Sequence, residues 1–129
     1  MWADIELAVM TGLRPHLPGV RVADELPDRI EQFLPLVQVR VVGGGDDDVT
    51  DAATVDVQCF AGTRGGMWAL AEQARAAMHA LTATHVPGQA AVIDAVTTAQ
   101  RPNEVPYGNP ALRRAVATYT VATRARATT

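Results

Sequence analysis

The sequence predicts an α+β fold: a single domain in which an antiparallel β-sheet carries two helices on one face, in the order α-β-β-β-α-β-β. Three observations predict it. Val37, Val39 and Val41 alternate with Gln38 and Arg40, and ATVDVQCF at 53–60 alternates again, which is the period-two signature of half-buried strands. An alanine-rich stretch over 64–83 places apolar residues at helical spacing, marking a helix with one buried stripe. The strands come in pairs joined by loops, an arrangement that favours antiparallel pairing with the helices on one side.

Taken in order, Trp2, Ile5, Val9 and Leu13 form one apolar stripe and predict a helix over 2–13, stopped by Gly12 and Pro15. Pro18-Gly19 is a turn signal. Residues 20–26 predict a short strand ended by Pro27, and DRIEQFLP an irregular connection or a single helical turn. Residues 36–42 are a strand, broken by Gly43-Gly44-Gly45-Asp46-Asp47-Asp48 as an acidic loop, and 53–60 returns as its hairpin partner. In the second strand Val55, Val57 and Cys59 face the apolar side, against Asp56, Gln58 and Phe60. Thr63 is placed to cap the second helix, whose stripe is Met67, Leu70, Ala74, Ala77, Met78 and Leu81, with Trp68, Glu72, Arg75 and His79 on another face. Residues 89–99 predict a strand, 101–110 a long loop with three prolines and a glycine, and 114–126 the closing strand. The domain thus spans 1–129, with loops at 43–52 and 101–113.

A chain of 129 residues is long enough to bury roughly two-thirds of its unfolded surface, so a core forms without staples. Aromatic residues make up only 5%, so that core is built from small aliphatic side chains. Formal charge is −3, and all eleven cations are arginine, a balance unlike the basic footprint of a nucleic-acid reader. One cysteine, Cys59, excludes an intrachain disulfide. The N-terminus lacks a signal-peptide pattern and no apolar run approaches ~18 residues, so a soluble protein made in the cytoplasm, away from membranes, is expected.

Chemistry finds little foothold. His16, His79 and His85 are scattered, and Cys59 has no partner at zinc spacing. Asp46, Asp47, Asp48 and Asp51 fail the calcium-loop pattern, because Asp51 holds the glycine position and Val57 the glutamate position. Gly43-Gly44-Gly45 lacks the Gly-Lys ending of a phosphate loop, and the chain has no lysine. It has no serine nucleophile either, and Cys59 falls mid-strand on the apolar face. No cofactor, metal or catalytic role is expected. What remains is surface for partners: Asp46, Asp47 and Asp48 in the acidic loop, Trp68, Arg75 and His79 off the stripe of the second helix, and Tyr107 in the proline-rich loop.

The segments Asp24-Glu25-Leu26-Pro27, Leu34-Pro35-Leu36-Val37-Gln38-Val39 and Gly43-Gly44-Gly45 resemble the first half of tail terminator (tail completion) proteins from siphophages of actinobacteria. Val55-Asp56-Val57-Gln58-Cys59-Phe60-Ala61 followed by Thr63 and the alanine-rich helix resembles the family's strand-then-helix core. Loop 102–110, then Arg113-Arg114 and the strand ending Val121-Ala122-Thr123-Arg124, resembles its final segment. The likeness spans about 4–126; Gly62 and Gly65-Gly66 depart from the pattern at the start of the second helix. It implies a structural virion protein at the head-tail junction: a homo-hexameric ring that caps the head-proximal end of the tail tube, ends tube polymerisation and docks a head-completion or connector protein. Phage DNA would pass through its bore without sequence-specific binding, and aspartates lining the bore would repel phosphate. Arg113 and Arg114 join the interface candidates through this likeness. Another neck component, such as a head-closure adaptor or a tube subunit, is the alternative; a non-viral ligand-binding adaptor is a more distant one.

Overall fold

In the computed structural model, which describes residues 4–46, 50–85 and 91–125, the first helix begins where a carboxylate can cap it. Asp4 accepts the Leu7 N–H at 3.1 Å and opens α1 (Ile5–Leu13). Ile5, Ala8, Val9 and Leu13 are buried, as the stripe requires; the predicted start at Trp2 lies outside the described residues. Arg14–His16 continues as one 3-10 turn through Pro15.

Among the described residues six strands follow: β1 (Arg21–Ala23), β2 (Leu36–Asp46), β3 (Thr50–Ala61), β4 (Thr84–His85), β5 (Ala91–Glu104) and β6 (Arg113–Ala125). The second helix, α2 (Arg64–His79), lies between β3 and β4 in the chain, and the Thr63 hydroxyl accepts the Gly66 N–H at 3.0 Å at its start. The sheet order is β1-β2-β3-β6-β5-β4. Every pairing is antiparallel except β1 with β2, which run parallel over three residues. The two-residue β4, at the opposite edge from β1, adds a strand to the predicted order.

Several boundaries move, each for a physical reason. The glycine run predicted as loop is strand: Gly43, Gly44 and Gly45 pair with Thr54, Ala53 and Ala52, past a bulge between Val41 and Gly43. The predicted loop at 101–113 likewise begins as strand, since β5 runs to Glu104 and bulges around Arg101-Pro102. Proline is tolerated there because, among the described residues, no strand pairs with the outer side of β5 at that point. The strand predicted over 20–26 shrinks to three residues, and the helix predicted to 83 ends at His79.

One apolar cluster joins both helices to one face of the sheet. Val37, Cys59 and Ala115 stand in register across β2, β3 and β6, as do Val39, Val57 and Ala117, and all are buried. Val9 and Leu13 of α1 and Met67, Leu70 and Met78 of α2 belong to the same cluster. Each fully buried Val or Leu contributes about 1.5–3 kcal/mol. At Gly12 a Cβ would come within 2.6 Å of a Leu81 methyl group, so glycine keeps α1 close to the end of α2.

A second, smaller cluster occupies the reverse face at one end. Leu36 and Phe60, neighbours across β2 and β3, are fully buried with Ile30 and Leu112, and Leu26, Phe33, Leu34 and Tyr107 pack against them. Residues 26–34 and 107–112 therefore cover this end of the sheet from behind. The rest of that face carries Thr54, Asp56, Gln58, Thr118 and Thr120, half-exposed, with the Thr118 hydroxyl donating to Asp56 at 2.8 Å.

Candidate functional site

Three groups of side chains fall at places where the fold leaves surface for partners. The first is the proline-rich loop. Arg114, on the reverse face of β6, donates to the carbonyls of Val105 (3.4 Å) and Pro106 (3.0 Å) and to the side-chain oxygen of Gln58 (3.2 Å). Its guanidinium lies 4.9 Å from the centre of the Tyr107 ring, and Tyr107 meets Phe60 edge-on at 5.4 Å. Asn109 donates to Glu31 at 3.0 Å, tying the loop to the segment before β2. Tyr107 and Arg114 thus hold the loop onto its own chain. Arg113 pairs with Glu104 at 3.2 Å in an exposed geometry that contributes little.

The second group is the α2 flank. Trp68 is half-buried against the main cluster, Glu72 is exposed, Arg75 is half-buried and His79 is exposed. His79 Nε2 shares a 2.7 Å hydrogen bond with Thr98 of β5, and its ring stands edge-on to Tyr119 at 6.1 Å. The spacing that set these residues apart from the core stripe carries them along the helix toward β5.

The third group lies at the ends and edges of the sheet. Asp46 is the last residue of β2, while Asp47 and Asp48 lie outside the described residues. β1 covers the outer side of β2 only from Leu36 to Gln38, and β4 covers β5 only at Val92 and Ile93. Among the described residues no strand flanks the rest of either edge. On the β2 edge, Glu6 of α1 accepts the Val41 N–H at 3.0 Å, and Glu6, Asp24, Glu25 and Arg40 border an open hollow together with Gln38. Sequence reasoning missed this acidic edge, because 35 residues separate Glu6 from its partner and no local pattern links them.

Cys59 is sealed within the main apolar cluster, and burial pushes its thiol up from 9.0 to about 12. Tyr119, fully buried, is also held above its ordinary value of 10.0, first by burial and then by nearby Cys59. Below pH 9.0 native and unfolded chains both keep the thiol proton, so Cys59 gives no pH dependence there. Between pH 9.0 and about 12 only the unfolded chain releases it, and stability falls by up to about 1.4 kcal/mol per pH unit. In Cys59→Ala the alkaline loss is expected to begin near pH 10.0, where Tyr119 takes over; urea midpoints across this range check it. An unchanged onset would mean that Cys59 is not the group released.

Among the described residues no group of three His, Cys, Asp or Glu side chains converges for a metal ion, and no helix is long and apolar enough to cross a membrane. The geometry defines a small α+β domain with charged and aromatic groups on loops, helix flanks and sheet edges. The chain belongs to the phage tail termination protein family, whose model matches residues 1–129. No individual curated protein matches it. The family is a structural one of the virion tail, as the likeness of the strand-and-helix segments implies.

Proposed function

We propose that the chain forms a hexameric ring on the head-proximal end of a long phage tail tube, where it ends tube polymerisation and docks the head connector. The family match across the whole chain carries this reading. The sheet supports it: its two incompletely covered edges, β2 and β5, lie on opposite sides of the sheet and are built differently, one flanked by a short parallel strand and the other by a shorter antiparallel one. Unlike edges favour a heterologous, head-to-tail contact, the kind that closes into a ring by rotation. A ring of this kind has two different circular faces, one for the tube and one for the head. The β2–β3 hairpin would reach the bore or a rim with its acidic tip, so that passing DNA is repelled from the wall. The subunit would be made in the host cytoplasm and reside in the virion at the head-tail junction.

Light scattering over a wide concentration range, with and without purified tail tubes, tests the ring. Mass rising to that of a hexamer supports it; a closed dimer at every concentration sinks it and favours a head-closure adaptor. Replacing Asp46, Asp47 and Asp48 together by asparagine is expected to leave ring mass unchanged. Loss of assembly in that variant would show that these aspartates hold the ring together and do not serve only to repel DNA.

A further inference from the structure

An open strand edge offers its main-chain donors and acceptors to any other strand, and folds that must stay unpaired there block the edge. On β5 the outer edge is interrupted by bulges between Thr98 and Gln100 and between Gln100 and Asn103, and Pro102 offers no N–H. β2 contains no proline, and its cation Arg40 stands on the reverse face opposite Asp56. β1 covers β2 only from Leu36 to Gln38. Among the described residues, the outer side of β2 is then unpaired with any strand from Val39 to Asp46, past one bulge between Val41 and Gly43.

This run is also where apolar side chains come to the surface. Leu7 of α1 and Val41 and Val42 of β2 are the exposed large hydrophobics among the described residues. Exposed apolar surface beside an open edge is a hazard for association. One main-chain donor in the run is already occupied: the Val41 N–H donates to Glu6 Oε2 at 3.0 Å. Glu6 stands in the first turn of α1, next to Leu7 and 35 residues from Val41. A carboxylate accepting an N–H makes a charge-assisted bond, stronger than a neutral one. A strand adding to β2 must displace that carboxylate before its ladder can run past Val41.

We propose that Glu6 is an edge cap, which keeps β2 from pairing with the β2 edge of a second copy of this chain. The second copy presents β2 because β5 is closed by its own bulges and proline. Two identical runs set antiparallel also bring Val41 and Val42 against apolar side chains like themselves, the kind of cross-strand contact that stabilises a sheet. A β2–β2 pair is two-fold and closed. It consumes subunits without extending head to tail, so the cap keeps them available to a ring. Only this last consequence rests on the ring reading; the cap itself does not.

The test separates reach from charge. Glu6→Ala removes the acceptor, Glu6→Asp keeps the charge on a shorter side chain, and Glu6→Gln keeps an oxygen at full reach without the charge. Alanine suits a helix, and far-UV circular dichroism checks the fold of each variant; if one of the Ala and Asp variants folds poorly, the other carries the comparison. Light scattering is read below the concentration at which the native chain assembles. Glu6→Ala and Glu6→Asp are expected to dimerise about tenfold more tightly than the native chain, with slowed amide exchange between Val39 and Asp46, while Glu6→Gln behaves as native. Adding Val42→Lys to Glu6→Ala charges the edge and is expected to return the native mass. A folded Glu6→Ala variant with native mass, or a Glu6→Gln variant that dimerises equally, would overturn the cap. So would a dimer that survives Val42→Lys or leaves the amides of Val39 to Asp46 unprotected. The mass of the native chain at higher concentration, single or hexameric, decides the ring separately.

Discussion

Phe60→Ala is expected to lower unfolding stability by about 3–5 kcal/mol, a large share of the roughly 5–15 kcal/mol that holds a domain together. Phe60 is completely buried, although it projects from the face of β3 that also carries Asp56 and Gln58. Its ring fills the space between Leu36, Ile30 and Leu112 and supports Tyr107 edge-on at 5.4 Å. Removing it empties the centre of the smaller cluster and deprives the Arg114 contacts of the aromatic base beneath Tyr107. The urea midpoint should fall, and amide exchange should quicken in residues 26–34 and 105–112. A cost below about 1 kcal/mol would mean that the covering segments collapse into the gap, and that the cluster is not the anchor described.

Gly44→Ala is the second large effect. Gly44 has φ +135°, a conformation that side-chain-bearing residues rarely adopt, and a Cβ there would collide with the Ala52 carbonyl oxygen and lie 2.8 Å from the Ala53 Cα. Both obstacles are main chain on the partner strand, so no rotamer change relieves them. Backbone strain alone costs about 1–3 kcal/mol, and the collision adds to it by forcing β2 and β3 apart. Gly43→Ala and Gly45→Ala are the controls: nothing lies within 4 Å of the added methyl at either site. The expected result is a lowered urea midpoint and early proteolysis of the hairpin in the Gly44 variant alone. Equal behaviour of all three variants would show that the hairpin tolerates the added carbon by shifting its register.

These two residues mark where the sequence was legible and where it was not. Alternation identified β2 and β3 and assigned Val37, Val39, Val55, Val57 and Cys59 to the buried face, because one helix-covered side imposes period two. Helical spacing and Thr63 identified α2. The same alternation placed Phe60 with the polar residues, since the segments that bury it are irregular and leave no periodic trace. Three consecutive glycines looked like a loop; what they supply is a stretch of strand where the backbones of β2 and β3 approach closely at Gly44. Periodicity reports faces but not neighbours, so the insertion of β6 between β3 and β5 was out of reach. Of the contact candidates, Tyr107 and Arg114 turn inward to fasten their loop, and Trp68, Arg75 and His79 lie along one helix flank. The acidic edge of β2 was missed, because it gathers residues from three distant segments.

The place of β6 in the sheet bears on when the protein can fold. The strand made after all the others lies in the middle, paired with β3 on one side and β5 on the other. During synthesis β3 has only its hairpin partner, and β5 has only β4, until β6 leaves the ribosome. Closing the β3–β6 pairing joins residues as far apart as Thr50 and Arg124, and non-local pairings of this kind are the slow ones in folding. The sheet therefore joins its two halves only after translation has passed β6. In the ring proposed above, a nascent chain would have no finished sheet to offer a neighbour, so the order of synthesis itself would delay assembly until β6 is in place.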